Sequence, residues 1–298
     1  MPHDPLLQRL VPPLSKVSGL VGIALGGSRA RGTAHATSDY DIGLYFSQNQ
    51  PLDTDELVAV VRTLIDEGAT AAVTPVGEWG RWIVGGGWLS IGGQKVDLLY
   101  RNLEAVAQVI AECRAGDISI NYQAGHPHGF CSSIWMGEIA LGLPLHDPTG
   151  RLAQLQALTQ PYPRALRKAL VRRFQWEILF AIENGELAAA SCEQTHIAGC
   201  AYRALACIGQ VLFALNERYL INEKGALREA ARFPLTIANL TGRVADVWRH
   251  IGNAEFTRTL AATQARRGFA GDHRSPRRQM ERDQFWRVVK NPAAQTLL

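Results

Sequence analysis

Residues Leu20 to Phe46, LVGIALGGSRARGTAHATSDYDIGLYF, constrain the chain more than any other stretch, because two carboxylates stand two residues apart between apolar runs. LVGIAL has the length and branching of a buried strand, and IGLYF is a second such run directly after the acids. In a strand, Asp39 and Asp41 point to one side and Tyr40 to the other. Carboxylates so placed repel each other unless a cation lies between them. A magnesium ion bridging the oxygens of a nucleoside triphosphate meets that need. Gly26 and Gly27 permit a tight turn after the first run, and the turn can open into a short helix whose N-terminal amides face a phosphate.

A further carboxylate stands out in QKVDLLYR, Gln94 to Arg101, where Asp97 interrupts an apolar strand in which an unpaired charge is costly to bury. With GGSRARGTAHATSDYDIGLYF, this resembles the nucleotidyltransferase superfamily related to DNA polymerase β, marked by Gly-Ser, a spacer of about ten residues and Asp-x-Asp. GSRARG with SDYDIGL is similar to the small bacterial members, including minimal nucleotidyltransferase antitoxins and antibiotic adenylyltransferases. The resemblance implies that Gly27 and Ser28 contact the triphosphate and that Asp39 and Asp41 hold metal ions. It also implies a third carboxylate on a later strand, the place Asp97 fills, and an adenylyltransferase-like activity in which AMP passes from ATP to a hydroxyl. Two magnesium ions about 3.5 to 4 Å apart would serve such a reaction. Arg29 or Arg31 is available for charge neutralisation.

The fold class expected is α/β (α+β), with a polymerase-β-like nucleotidyltransferase domain of mixed sheet and flanking helices over 1–105. An all-α helical bundle over 106–298 then closes the cleft and carries a basic flexible tail from about residue 266. DTDELVAVVRTLIDEG begins with Asp53 or Thr54 as cap, places Leu57, Val60, Val61, Leu64 and Ile65 on one face, and stops at Gly68. TAAVTPV, WIVGGGWLSI and KVDLLY supply strands, and LEAVAQVIAEC is a helix leading out of the domain. Gly85 to Gly87, just before Trp88, suit a bulged hairpin or the close approach of a ligand. In the second half, ALRKALVRRFQWEILFAIENG sets Leu166, Leu170, Phe174, Ile178 and Ile182 at helical intervals with Gly185 as the stop, and THIAGCAYRALACIGQVLFALNERY is a longer helix. A third helix is expected from Asn222.

NEKGALREA after that long helix resembles the streptomycin/spectinomycin-type adenylyltransferases, where a lysine in this place meets ATP phosphates; Lys224 matches it. Arg203, on the preceding apolar helix, must find an anion or carbonyl, either a nucleotide or a salt-bridge partner. GHPHGF carries His126 and His128 on a rigid loop without the ligands of a zinc site.

Composition narrows the class further. With 298 residues and 47% hydrophobic content the chain can build a substantial core. MPHDPLLQRLVPPL lacks the basic start and apolar core of a signal, and the apolar stretch IAGCAYRALACIGQVLFAL contains Arg203 and Gln210, so a buried or interface helix and a cytoplasmic protein without a membrane partner are expected. Five cysteines without a Cys-x-x-Cys pair imply reduced thiols. The net charge of +4 does not by itself select a nucleic acid. The acceptor is therefore open between a small molecule, for which an aminoglycoside would need acids such as Glu138, Asp147 and Glu193, and a protein or tRNA. A non-catalytic nucleotide-binding module is a third class.

Overall fold

The computed structural model describes residues 4–189 and 191–251, so the expected basic tail lies outside the described residues. Two compact units divide at Pro163 and Arg164. The first runs α1 (Pro5–Leu14), β1 (Leu20–Leu25), α2 (Gly27–Ala30), β2 (Tyr40–Phe46), α3 (Thr54–Arg62), β3 (Ala72–Val73), β4 (Gly86–Ile91) and β5 (Gln94–Asn102). It continues through α4 (Leu103–Ala115), β6 (Ile120–Asn121), β7 (Phe130–Cys131), α5 (Ser133–Leu141), β8 (Leu143–His146) and α6 (Arg151–Ala157). The second unit holds α7 (Arg164–Ala189), α8 (Gln194–Leu215), α9 (Ala226–Ala230) and α10 (Leu240–Ile251).

Six strands form a mixed sheet in the order β3, β4, β5, β2, β1, β8. The β2–β5 pair is parallel and the other pairs are antiparallel. This is the mixed sheet with flanking helices that the sequence implies, followed by a helical part. On one face Ile42, Leu44, Val96, Leu98 and Tyr100 pack against Leu7, Leu10 and Leu14 of α1 and Leu57 and Val61 of α3. Alternation along β2 and β5 sends Asp41, Tyr45, Asp97 and Arg101 to the other face. Asp53 caps α3 by accepting from the Glu56 amide at 2.9 Å. That helix ends at Arg62, short of Gly68.

The boundary expected near residue 105 falls inside the first unit. β8 returns to pair with β1, and α4 packs on α5, so residues 106–163 complete the sheet and its covering layer. In the second unit α7 runs straight through Gly185, where a stop was expected. A Cβ at Gly185 would lie 3.2 Å from Cys200 Cβ, so this glycine serves the close approach of α8. Ile182 is exposed, and Ala181 takes the buried position in its place. α8 is long and apolar enough to cross a membrane, but half of its apolar window is buried inside the protein, and it lies along α7. The third helix starts at Ala226 rather than Asn222.

Candidate active site

β1 leaves the sheet at Gly26, whose amide donates to the Asp41 carbonyl at 2.7 Å. Gly27 follows at φ +61, and a Cβ there would stand 2.7 Å from Asp41 Cγ and overlap the carboxylate oxygen. Only glycine lets this turn close over the acid. Ser28 is the second residue of the one-turn helix α2. Arg29 reaches back from it, with Nε donating to the Ser38 and Asp39 carbonyls at 3.1 and 3.2 Å and Nη2 to Ser38 at 2.6 Å. Its guanidinium lies 3.7 Å from the centre of the Tyr40 ring. Arg29 therefore ties the loop that carries Asp39. Arg31 is exposed at the end of α2.

Tyr40 points to the opposite face, where its hydroxyl donates to Asp4 Oδ2 at 2.9 Å. Asp4 also caps α1 by accepting from Leu6 and Leu7. Burial, reinforced by the Asp4 hydrogen bond, pushes the Tyr40 phenol up. The residue between the two acids is thus locked in the core, which fixes where Asp39 and Asp41 emerge.

Asp41 and Asp97 are register partners on parallel β2 and β5, and Asp97 is the partner of Trp88 on antiparallel β4. Register partners share a face, so one row crosses the sheet: Trp88, Asp97, Asp41 and the Gly26–Gly27 turn. Asp39, Asp97, Trp88, Ser90, Lys95 and Thr70 line a cavity of about 460 Å³ on this face. Among the described residues no three His, Cys, Asp or Glu side chains converge into a metal cage. Magnesium does not require one, since it keeps several waters and takes one or two carboxylates plus substrate phosphate oxygens. The acids in register and the glycine cradle over Asp41 fit such an ion.

Further along the same face Arg101 is 2% exposed and holds Glu138 of α5 in a bidentate pair, at 2.8 and 2.7 Å. Its Nη1 donates to the Tyr100 carbonyl at 2.9 Å. Burial beside this pair pushes the Tyr45 phenol up. Glu138, considered for an acidic acceptor cleft, is therefore the partner of a buried guanidinium. Asp147 accepts from the Leu152 and Ala153 amides at the start of α6, and Glu193 stands at the cap of α8. Glu138 and Asp147 thus have local structural work, while the Glu193 side chain makes no cap hydrogen bond.

Two site candidates lie in the second unit. Arg203 bonds to Glu177 of α7, resolving its need for an anion within the helical pair. Lys224 is exposed in the turn before α9, its amide donating to Asn222 Oδ1 at 2.7 Å. The histidine loop is packed: His128 is buried, and the His126 ring meets Phe130 edge-on at 5.0 Å.

Three residues were not singled out in sequence. Asp66 accepts from Ser90 Oγ and the Gly92 and Gly93 amides, at 2.7, 2.6 and 3.0 Å, and so pins the β4–β5 turn. The Ser90 hydrogen bond, then the two amides, hold its carboxyl below the usual range. Trp79 stacks on Trp88, ring centres 4.5 Å apart, and Lys95 joins the cavity. The signal in the sequence was Trp88 directly after the Gly85–Gly87 run.

Residues 8–112 match the family model described as "Nucleotidyltransferase domain". No curated protein matches the chain. Among solved structures the chain is similar to a nucleotidyltransferase-like protein from Exiguobacterium sibiricum 255-15, with 9% identity, 85% of this chain and 71% of that chain covered, and a TM-score of 0.34.

Proposed function

We propose, from the match of residues 8–112 to the nucleotidyltransferase domain, that this chain transfers a nucleoside monophosphate, AMP from ATP, to a hydroxyl of an acceptor and releases pyrophosphate. The observation that carries the reading is the row in which the glycine turn, Asp41 and Asp97 stand side by side on one sheet face. Asp39 and Asp41 would hold magnesium together with phosphate oxygens. When bound, the metal supplies charge compensation for the triphosphate and lowers the pKa of an attacking hydroxyl.

The protein's own part is positioning. The Gly26–Gly27 turn and Ser28 orient the triphosphate, with Arg31 as the cation for its outer phosphates. Arg29 fixes the Asp39 loop. Asp97 receives the acceptor's proton or assists a second ion. Loose phosphoryl transition states need orientation and charge compensation more than covalent chemistry. We place this activity in the cytoplasm, where the five cysteines would remain thiols.

The test is an acceptor screen with labelled ATP and GTP, covering small molecules, tRNA and protein, on the full chain and on Asp97→Asn. Magnesium-dependent label transfer that Asp97→Asn lowers by orders of magnitude while ATP still binds supports the reading. A destabilised but fully active variant removes Asp97 from the site.

A further inference from the structure

We propose that Trp88, braced by Trp79, is the stacking platform of the acceptor subsite, and that its occupant is a neutral sugar ring. This rests on the nucleotidyl-transfer reading above and goes beyond it by naming the acceptor side and its chemistry.

The row across the sheet gives the direction. The glycine turn lies beyond Asp41 at one end and Trp88 beyond Asp97 at the other. Neighbouring strands are about 4.8 Å apart, so Trp88 is three strand spacings from the turn. In-line displacement puts attacking and leaving oxygens on opposite sides of phosphorus. With the triphosphate against the turn, the attacking hydroxyl arrives from the Trp88 side, through the cavity that Trp88 shares with Asp97, Lys95 and Asp39.

Trp88 is 59% exposed, an unusual state for the largest apolar side chain lining this cavity. It is nonetheless held in place. Trp79 stacks on it at 4.5 Å, and the Trp79 carbonyl accepts from Gln123 Nε2 at 2.8 Å. Gln123 is buried. A Cβ at Gly86 would collide with the Leu98 carbonyl and lie 3.0 Å from the Trp79 ring, so the glycine makes room for the brace. A platform already ordered loses little freedom when a ring settles on it.

The lining chooses among rings. An indole face takes the C–H face of a sugar, while a carboxylate and an ammonium at its edge meet the hydroxyls. With magnesium on Asp39, the charges of Asp97 and Lys95 would offset each other, so the lining offers no surplus of negative charge to the amines of an aminoglycoside and suits a neutral ring. In the reaction, the sugar hydroxyl oxygen forms a bond to the α-phosphorus and the bond from that phosphorus to pyrophosphate breaks. The hydroxyl proton passes to Asp97, and the products are a nucleoside monophosphoryl sugar and pyrophosphate.

The experiment uses the full chain, Trp88→Ala and Trp88→Phe. Saturation-transfer NMR with methyl glycosides of glucose, galactose, mannose and N-acetylglucosamine reads sugar binding in the presence of magnesium and ATP. Calorimetry reads magnesium–ATP binding separately. The proposal expects at least one glycoside to be saturated by the wild type, at least tenfold weaker binding in Trp88→Ala, partial recovery in Trp88→Phe, and unchanged ATP affinity in all three. No glycoside binding, or binding equal in Trp88→Ala, overturns it. Weakened ATP binding in Trp88→Ala also overturns it, by assigning the indole to the nucleobase. Failure of the wild type to bind magnesium–ATP at all would instead strike the nucleotidyl-transfer reading itself.

Discussion

Gly27→Ala tests the glycine cradle in a way that separates backbone cost from damage to the site. Gly27 has φ +61 and Gly32 φ +68, so alanine at either position pays the same left-handed penalty, about 1–2 kcal/mol. For a protein of this size each kcal/mol lowers Tm by roughly 2–4 °C. The surroundings differ. Nothing lies within 4 Å of a Cβ at Gly32, whereas at Gly27 the Asp41 Cγ is 2.7 Å away and ordinary contact begins at 3.4 Å. Asp41 Cγ must therefore retreat by at least about 0.7 Å and the overlapped carboxylate oxygen by more, and a misplacement near 1 Å costs on the order of 10²-fold in rate. Magnesium-dependent pyrophosphate release from ATP and a melting curve, measured on both variants, give the answer. Similar Tm losses are expected, with turnover near wild type for Gly32→Ala and reduced about 100-fold for Gly27→Ala. Equal turnover in the two variants would refute the idea that the turn is shaped around the Asp41 carboxylate.

Glu138→Gln leaves Arg101 buried with a neutral partner, so denaturation should show a loss of about 3 kcal/mol, and a change below 1 kcal/mol would make the pair incidental. Burial pushes the Cys113 and Cys207 thiols up to about 12, so they stay protonated in the folded chain while unfolded thiols ionise near their ordinary value. Their contribution to stability is complete below that ordinary value and fades as pH rises toward about 12, which urea midpoints measured at neutral and strongly alkaline pH will read. In the same samples at mildly alkaline pH a thiol reagent should modify exposed Cys192 well before Cys113 or Cys207.

The row of the glycine turn, Asp41 and Asp97 was legible because its parts are local or strand-borne. Gly-Ser followed by Asp-x-Asp sits between apolar runs, and Asp97 is conspicuous in its own strand; only the register of β2 on β5 had to be supplied by the fold. Other features depend on partners distant in sequence. Asp147, Glu138 and Arg203 are three charges whose cap or ion-pair partners a linear reading does not reveal. β8 was not read as a strand in the sequence, yet as an edge strand beside β1 it tolerates Pro144. In α1, Pro12 and Pro13 look like breakers but occupy the last turn of a helix that Asp4 begins. Gly185 looked like a stop because a helical glycine required by a neighbour has the same letter as a terminating one.

The central claim is that Asp41, under the glycine turn and beside Asp97, holds the metal that brings the triphosphate to this sheet face. Isothermal calorimetry of ATP with and without magnesium, on wild type and on Asp41→Asn verified as folded by its melting curve, tests it most directly. The account predicts magnesium-dependent ATP binding by the wild type and its loss in Asp41→Asn, whose Tm without metal is level or higher because a carboxylate repulsion has been removed. ATP binding of equal affinity in both proteins, or binding indifferent to magnesium, would contradict it.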